Sequence, residues 1–197
     1  SGNDPAKLKA TEDSAPTYKK LRADLIAHID QHPTIPKLLG EKAGYLSHQS
    51  GKWWEGNFKR GGFTHGMTRG FPKPCGRHGD DGLKIGREGM KPVFDFVDMS
   101  VSEKKPFLLW YAPFRPHTPH NPPKRYQDIY DWSEMPVPPF MEGRDLGAGI
   151  GKKKGGGWRK KEQLSYAMEA WLDFGVAKLV SKLQGAGQLE DTMFVFV

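Results

Sequence analysis

Lys52 stands in Gly51-Lys52-Trp53-Trp54-Glu55-Gly56, flanked by glycines and followed by two rigid aromatic side chains. A lysine held in that way presents a positioned charge, which suits it to hold an oxyanion; the plainer alternative is a surface lysine beside core tryptophans. A second candidate is the pair His117 and His120, three residues apart around Thr118-Pro119. Imidazole changes charge near neutral pH, so such a pair could act as acid and base or bind zinc, although no Cys or Glu is spaced to complete a metal site and an ordinary polar loop has the same look. A third cluster joins Gly61-Gly62-Phe63-Thr64-His65-Gly66 to Gly76-Arg77-His78-Gly79-Asp80-Asp81. Its glycines would let His65, Arg77 and His78 approach an anionic ligand closely. Asp80-Asp81 reads as a solvated pair more readily than as a metal pair. Cys75, the single cysteine, has no base placed beside it by the sequence and makes a poor nucleophile.

The elements that must position these residues alternate between helix and strand. Leu21, Leu25, Ile26 and Ile29 fall on one helical face within 18–32. Thr34-Ile35-Pro36 offers an N-cap with proline in the first turn, and a short helix over Lys37 to Ala43 ends at Gly44. A short strand over Tyr45 to Ser50 then places Gly51-Lys52 at its carboxyl end. The segment from Glu55 to about Gly89 reads as one long Gly-rich loop, far beyond the usual connection of about 4–6 residues. Val93, Phe94, Val97 and Val101 mark a helix over Met90 to Val101, and Pro106 to Ala112 is an apolar run typical of a strand buried on both faces. Pro113 through His120 can continue neither strand nor helix, so polar residues are delivered at a strand end. The longest helix is expected from about Arg159 to Gln184, with Leu164, Met168, Trp171, Leu172, Leu179 and Leu183 in its core face and Gly185 as its stop. Thr192 to Val197 reads as another buried strand. This is an α/β layout, in which ligands gather beyond the carboxyl ends of strands.

Composition bounds the rest. The 197 residues include 24 Gly and 16 Pro, so much backbone runs in turns, while 12% aromatic content is too high for simple disorder. One cysteine excludes an internal disulfide framework and a Cys-rich zinc site. No apolar run approaches the roughly 18–20 residues of a membrane span. The net charge of +7 is concentrated in 51–91, with nine Lys and Arg against four acids, and in 151–197, with eight against five. Basic loops of this kind fit either an anionic partner or a solubilising surface. Trp53, Trp54, Phe58 and Phe63 interleave with the first of these stretches, but no nucleic-acid-binding signature accompanies them, and no nucleic acid is expected as a partner.

Three motifs in order then resemble one family. Pro33-Thr34-Ile35-Pro36-Lys37-Leu38-Leu39 leads through Ala43-Gly44-Tyr45 to Gly51-Lys52-Trp53; Lys105-Pro106-Phe107-Leu108-Leu109-Trp110-Tyr111-Ala112-Pro113 leads to Pro116-His117-Thr118-Pro119; Tyr166-Ala167-Met168 and Trp171-Leu172-Asp173 precede the last apolar segment. From about Pro33 to Val197 the chain resembles the type I, formylglycine-dependent sulfatases. The resemblance implies an alkaline-phosphatase-like α/β sandwich, with a central mostly parallel sheet flanked by helices that is incomplete in this chain. Residues 1–16 would be a linker or loop, and 17–197 the central part of the catalytic domain.

By the same resemblance Lys52 contacts the substrate sulfate and His117 assists the leaving group; His65, His120, Arg77 and His78 are substrate-binding candidates from their own placement in the polar turn and the Gly-rich loop. The nucleophile, a Cys or Ser matured to formylglycine, and the Ca2+ ligands are expected outside this chain, because Cys75-Gly76-Arg77-His78-Gly79 is not the maturation motif. Trp54 stands where the commonest family form has His, and His65 is a candidate to replace it. The implied partner is a sulfate ester, including sulfated carbohydrates, and the implied setting secreted, periplasmic or lysosome-like. Two rival readings remain at this stage: a phosphodiesterase or phosphonate hydrolase of the same superfamily, and a basic non-catalytic module that binds polyanions.

Overall fold

The computed structural model describes residues 16–53, 56–70, 81–136, 139 and 158–197. Arg77, His78, Cys75, Asp80 and Trp54 lie outside the described residues. The chain divides into two compact units, one of 1–114 with 182–197 and one of 115–181.

In the first unit three parallel strands, β1 (Leu46–Gly51), β2 (His65–Gly66) and β3 (Phe107–Ala112), form a sheet of order β2-β1-β3. β1 is central. Its register pairs His48 with His65 on one side and runs from Leu46 opposite Phe107 to Gly51 opposite Ala112 on the other. The presence of β2 corrects the reading of 55–89 as one long loop, since this segment also forms 3-10 turns at Phe58–Gly61 and Asp81–Lys84.

β1 is unusual in burying polar side chains, with Ser47, Gln49 and Ser50 at most 1% exposed. Buried polar groups are tolerated where they are hydrogen-bonded, and here three are. Ser47 N–H donates to Thr64 Oγ1 (2.8 Å) and Ser47 Oγ accepts from Thr64 N–H (3.1 Å). Ser50 Oγ donates to the Trp110 carbonyl at 3.0 Å. Gln49 accepts from Thr68 N–H and donates to the Gly51 carbonyl, both at 3.0 Å.

The helices around the sheet follow their periodicity with shifted faces. Helix α1 (Pro16–Ala27) buries Tyr18, Arg22 and Ile26, so the stripe expected at Leu21 and Leu25 is rotated, and Leu25 is 37% exposed. Arg22 joins the buried face because Nη1 donates to the Tyr18 hydroxyl (3.2 Å) with the guanidinium 5.8 Å from that ring. A 3-10 turn over His28–Gln31 replaces the last expected helical turn. Thr34 occupies the N-cap position of α2 (Ile35–Ala43), but its hydroxyl donates to the Gly61 carbonyl (2.6 Å) and so ties the helix start to the following segment. Gly44 ends α2 with φ 66°, as its type predicts. Helix α3 (Lys91–Ser102) buries Val93, Phe96, Val97 and Ser100. The expected Phe94 is only half-buried, because Lys182 Nζ lies 5.8 Å from its ring while pairing with Asp98.

Two strand expectations need correction. β3 is not buried on both faces, since its residues are only half-buried and Trp110 is 37% exposed; it is also the outer strand of the described sheet. Residues 192–197 form no strand, and Phe196 and Val197 are fully exposed. Apolar character does not make a strand without an edge to pair with.

In the second unit the short helix α4 (Lys124–Gln127) packs with residues of α5 (Trp158–Gly185), a helix that runs across the unit boundary. Tyr126 stacks on Trp171 with centroids 6.1 Å apart. Gln163 Nε2 donates to the carbonyls of Gln127 (3.0 Å) and Tyr130 (2.6 Å). Met168 and Ala167 are fully buried, whereas the expected Leu164, Trp171 and Leu172 are half-buried because Gln163 and Ala167 occupy the inner face.

Candidate functional site

Lys52 leaves the carboxyl end of β1 on backbone that is fixed from both sides. Its N–H donates to the Ala112 carbonyl at 2.5 Å, and its own carbonyl accepts from Trp110 Nε1 at 3.1 Å. The residue before it must be glycine. Gly51 has φ 83°, and a Cβ there would lie 1.8 Å from the Ala112 carbonyl oxygen. Beneath this turn, the Gly51 carbonyl accepts from Gln49 Nε2 (3.0 Å) and Thr68 Oγ1 (3.3 Å). Gly82 closes in so tightly that a Cβ would come within 2.4 Å of Thr68 Oγ1 and 2.7 Å of the Gly51 oxygen. Trp53 then wedges edge-on between Phe63 (5.1 Å) and Trp110 (5.3 Å).

The product of these restraints is an exposed ammonium on immobile backbone. Lys52 Nζ lies 5.9 Å from the centroid of the Phe114 ring and makes no ion pair with a carboxylate among the described residues. A cation in this state is available to an anion, and the fixed backbone reduces the entropy lost on binding.

His65 lies elsewhere on the sheet. It is paired with His48, four residues before Lys52 along β1, and at about 3.3 Å rise per residue the two levels are roughly 13 Å apart. Both imidazoles pack against Phe96 of α3, with centroids 5.1 Å (His48) and 5.5 Å (His65) away. His48 is 5% exposed, and its Nδ1 has no hydrogen-bond partner. Burial, with the neighbouring His65 adding repulsion, pushes its pKa down to about 4, so it is neutral at physiological pH. Sequence reading missed His48; the available signal was its place in a central strand, where alternate side chains face a covering helix.

In the second unit, His117 and His120 are exposed on the turn that follows β3. His117 Nδ1 meets the Thr118 carbonyl at 2.9 Å and Thr118 Oγ1 at 3.1 Å. A carbonyl only accepts, so Nδ1 carries the hydrogen in this contact and Nε2 is left for other partners. The turn leaves Arg115 buried at 4% exposure, its Nη1 donating to the Trp171 carbonyl (2.5 Å) and its guanidinium 4.6 Å over the Trp171 ring.

No group of three His, Cys, Asp or Glu able to hold a metal occurs among the described residues. Asp81 is engaged by Arg69 and Lys84, whose hydrogen bonds hold its carboxyl below the usual range. The described residues therefore supply no set for the implied Ca2+.

Comparison with known proteins gives a consistent set of likenesses. The Sulfatase family model matches residues 10–197. A curated arylsulfatase of Clostridium perfringens is 30% identical over 105 residues, covering 47% of this chain and 21% of that protein. Among solved structures, yidJ of Bacteroides fragilis, a sulfatase candidate, aligns over 78% of this chain and 40% of its own, with 19% identity and a TM-score of 0.51. Ps i-CgsB, solved with k-i-k-neocarrahexaose, aligns over 78% and 37% with 21% identity and a TM-score of 0.47. The chain thus spans about a fifth of the curated relative and about two fifths of the solved ones.

Proposed function

The chain belongs to the sulfatase family, and from that premise we propose that the full-length protein hydrolyses a sulfate monoester, of an aryl or a carbohydrate alcohol. The observation that carries the reading is Lys52: an exposed cation without a carboxylate partner among the described residues, on backbone hydrogen-bonded to β3 through Ala112 and Trp110. In this account its ammonium binds the sulfate oxygens and stabilises the charge that builds up as the ester bond breaks. His117, when protonated on Nε2, gives that proton to the bridging oxygen, so the alcohol leaves as the sulfuryl group passes to an oxygen nucleophile, from which water finally releases sulfate. His120, with Arg77 and His78, contributes to substrate binding, and His65 is retained as a candidate in that role. The nucleophile and Ca2+ would come from parts of the protein beyond these residues.

Sulfate release from 4-nitrophenyl sulfate and from a sulfated monosaccharide tests the proposal in the full-length protein. Turnover of the sulfate esters, with no 4-nitrophenol released from the corresponding phosphodiester or phosphonate monoester, is the expected result. The 197-residue chain by itself is expected to release no sulfate. Hydrolysis by that chain, or cleavage of the phosphodiester or phosphonate ester as the dominant activity, would contradict the proposal.

A further inference from the structure

An open cavity of about 370 Å³ lies in the first unit against β1, β2 and α3. Its apolar wall is formed by Phe58, Pro92, Phe96 and Met99, and its polar groups are His48, Thr64, His65 and Asp95. This volume is within the range of small-molecule sites, and aromatic and thioether walls suit a flat ring.

Thr64 determines what the polar groups can do. Its hydroxyl accepts from Ser47 N–H (2.8 Å) and donates its one hydrogen to the Ser47 carbonyl (2.8 Å). Towards His65 Nδ1, 2.9 Å away, it can therefore only accept. Nδ1 of His65 carries the hydrogen, and Nε2 keeps a lone pair with no hydrogen-bond partner among the described residues. Below it, His48 is 95% removed from solvent, with Nδ1 unpartnered. An unmet polar group at that depth costs about 1–3 kcal/mol, in contrast to the satisfied Ser47, Gln49 and Ser50 on the same strand. The only charged lining residue is Asp95, already paired with Lys91, so the site does not favour anions. With Asp95 paired to Lys91 and no group of three His, Cys, Asp or Glu among the described residues placed to hold a metal, the two imidazoles do not make a metal site either.

We propose that this cavity is a binding site for a neutral hydroxyarene, a molecule of the phenol class, whose ring lies between Phe58 and Phe96 and whose hydroxyl donates to His65 Nε2. The site uses no part of the Lys52 turn, but it claims His65, which the sulfatase reading keeps as a substrate-binding candidate.

Phenol itself is the probe, with toluene as the analogue that lacks the hydroxyl. Titrated into the full-length protein and followed by imidazole 15N signals, phenol should shift the His65 Nε2 resonance saturably. Toluene should bind about fivefold more weakly, the worth of one hydrogen bond. His65→Phe should abolish the preference for phenol, and Met99→Trp should block both ligands by filling the cavity. The comparison of the two ligands on the unmutated chain needs no variant to fold. Equal binding of toluene, absence of saturation, or a response of both imidazoles to Zn2+ but not to phenol would each overturn the proposal.

Discussion

At the scale of single residues, two positions decide most. Gly51 combines a left-handed backbone with contact against the Ala112 carbonyl. Gly51→Ala should therefore cost on the order of 3 kcal/mol in urea denaturation, strain and clash adding; a change below 1 kcal/mol, in the range of ordinary surface substitutions, would show the turn to be relaxed in solution. His48 makes stability depend on pH. Its folded pKa of about 4 lies below the ordinary value of 6.5, so between those values the unfolded chain takes a proton that the folded one does not. Stability should be full above pH 6.5 and fall as the pH drops towards 4, by about 3 kcal/mol at most from this group. Denaturation curves of His48→Phe should lack that component. Lys52 was legible from its glycines and tryptophans, but the lock on its backbone was not. That lock depends on Gln49, Thr68 and Gly82, which are ordinary polar or small residues until the chain brings them together.

At the scale of elements, Phe96 is the joint between α3 and the sheet, touching His48, His65 and the ring of Phe107 (6.1 Å). Phe96→Ala should destabilise by about 3–5 kcal/mol and shift both imidazole signals, a pairing that a mere surface loss would not produce. Strand β1 is mostly polar and offers no apolar pattern, whereas helix α3 and strand β3 were legible because their apolar residues span whole elements. β2 was not, because His65–Gly66 is two residues long and its pairing comes from its neighbour, not from its own pattern. The face of α1 was misread for a related reason: Arg22 ranks as polar by type, yet its guanidinium is buried with Tyr18. Periodicity reports hydrophobicity, whereas burial also follows pairing.

At the scale of the whole molecule, the family and the α/β fold were legible from three ordered motifs, and the family model matching 10–197 agrees. The 192–197 segment was not, because its apolar residues are exposed and unpaired in this structure. No helix among the described residues is long and apolar enough to cross a membrane. What remains to be measured is whether the positioned cation acts on a sulfate ester. The most direct measurement is kcat/KM for 4-nitrophenyl sulfate by the full-length protein and its Lys52→Ala variant, with circular dichroism to show that both are folded. The account predicts a loss of about 10²–10³-fold, the usual effect of removing one stabiliser of developing negative charge. Hydrolysis by the folded variant within twofold of the unaltered protein would contradict it.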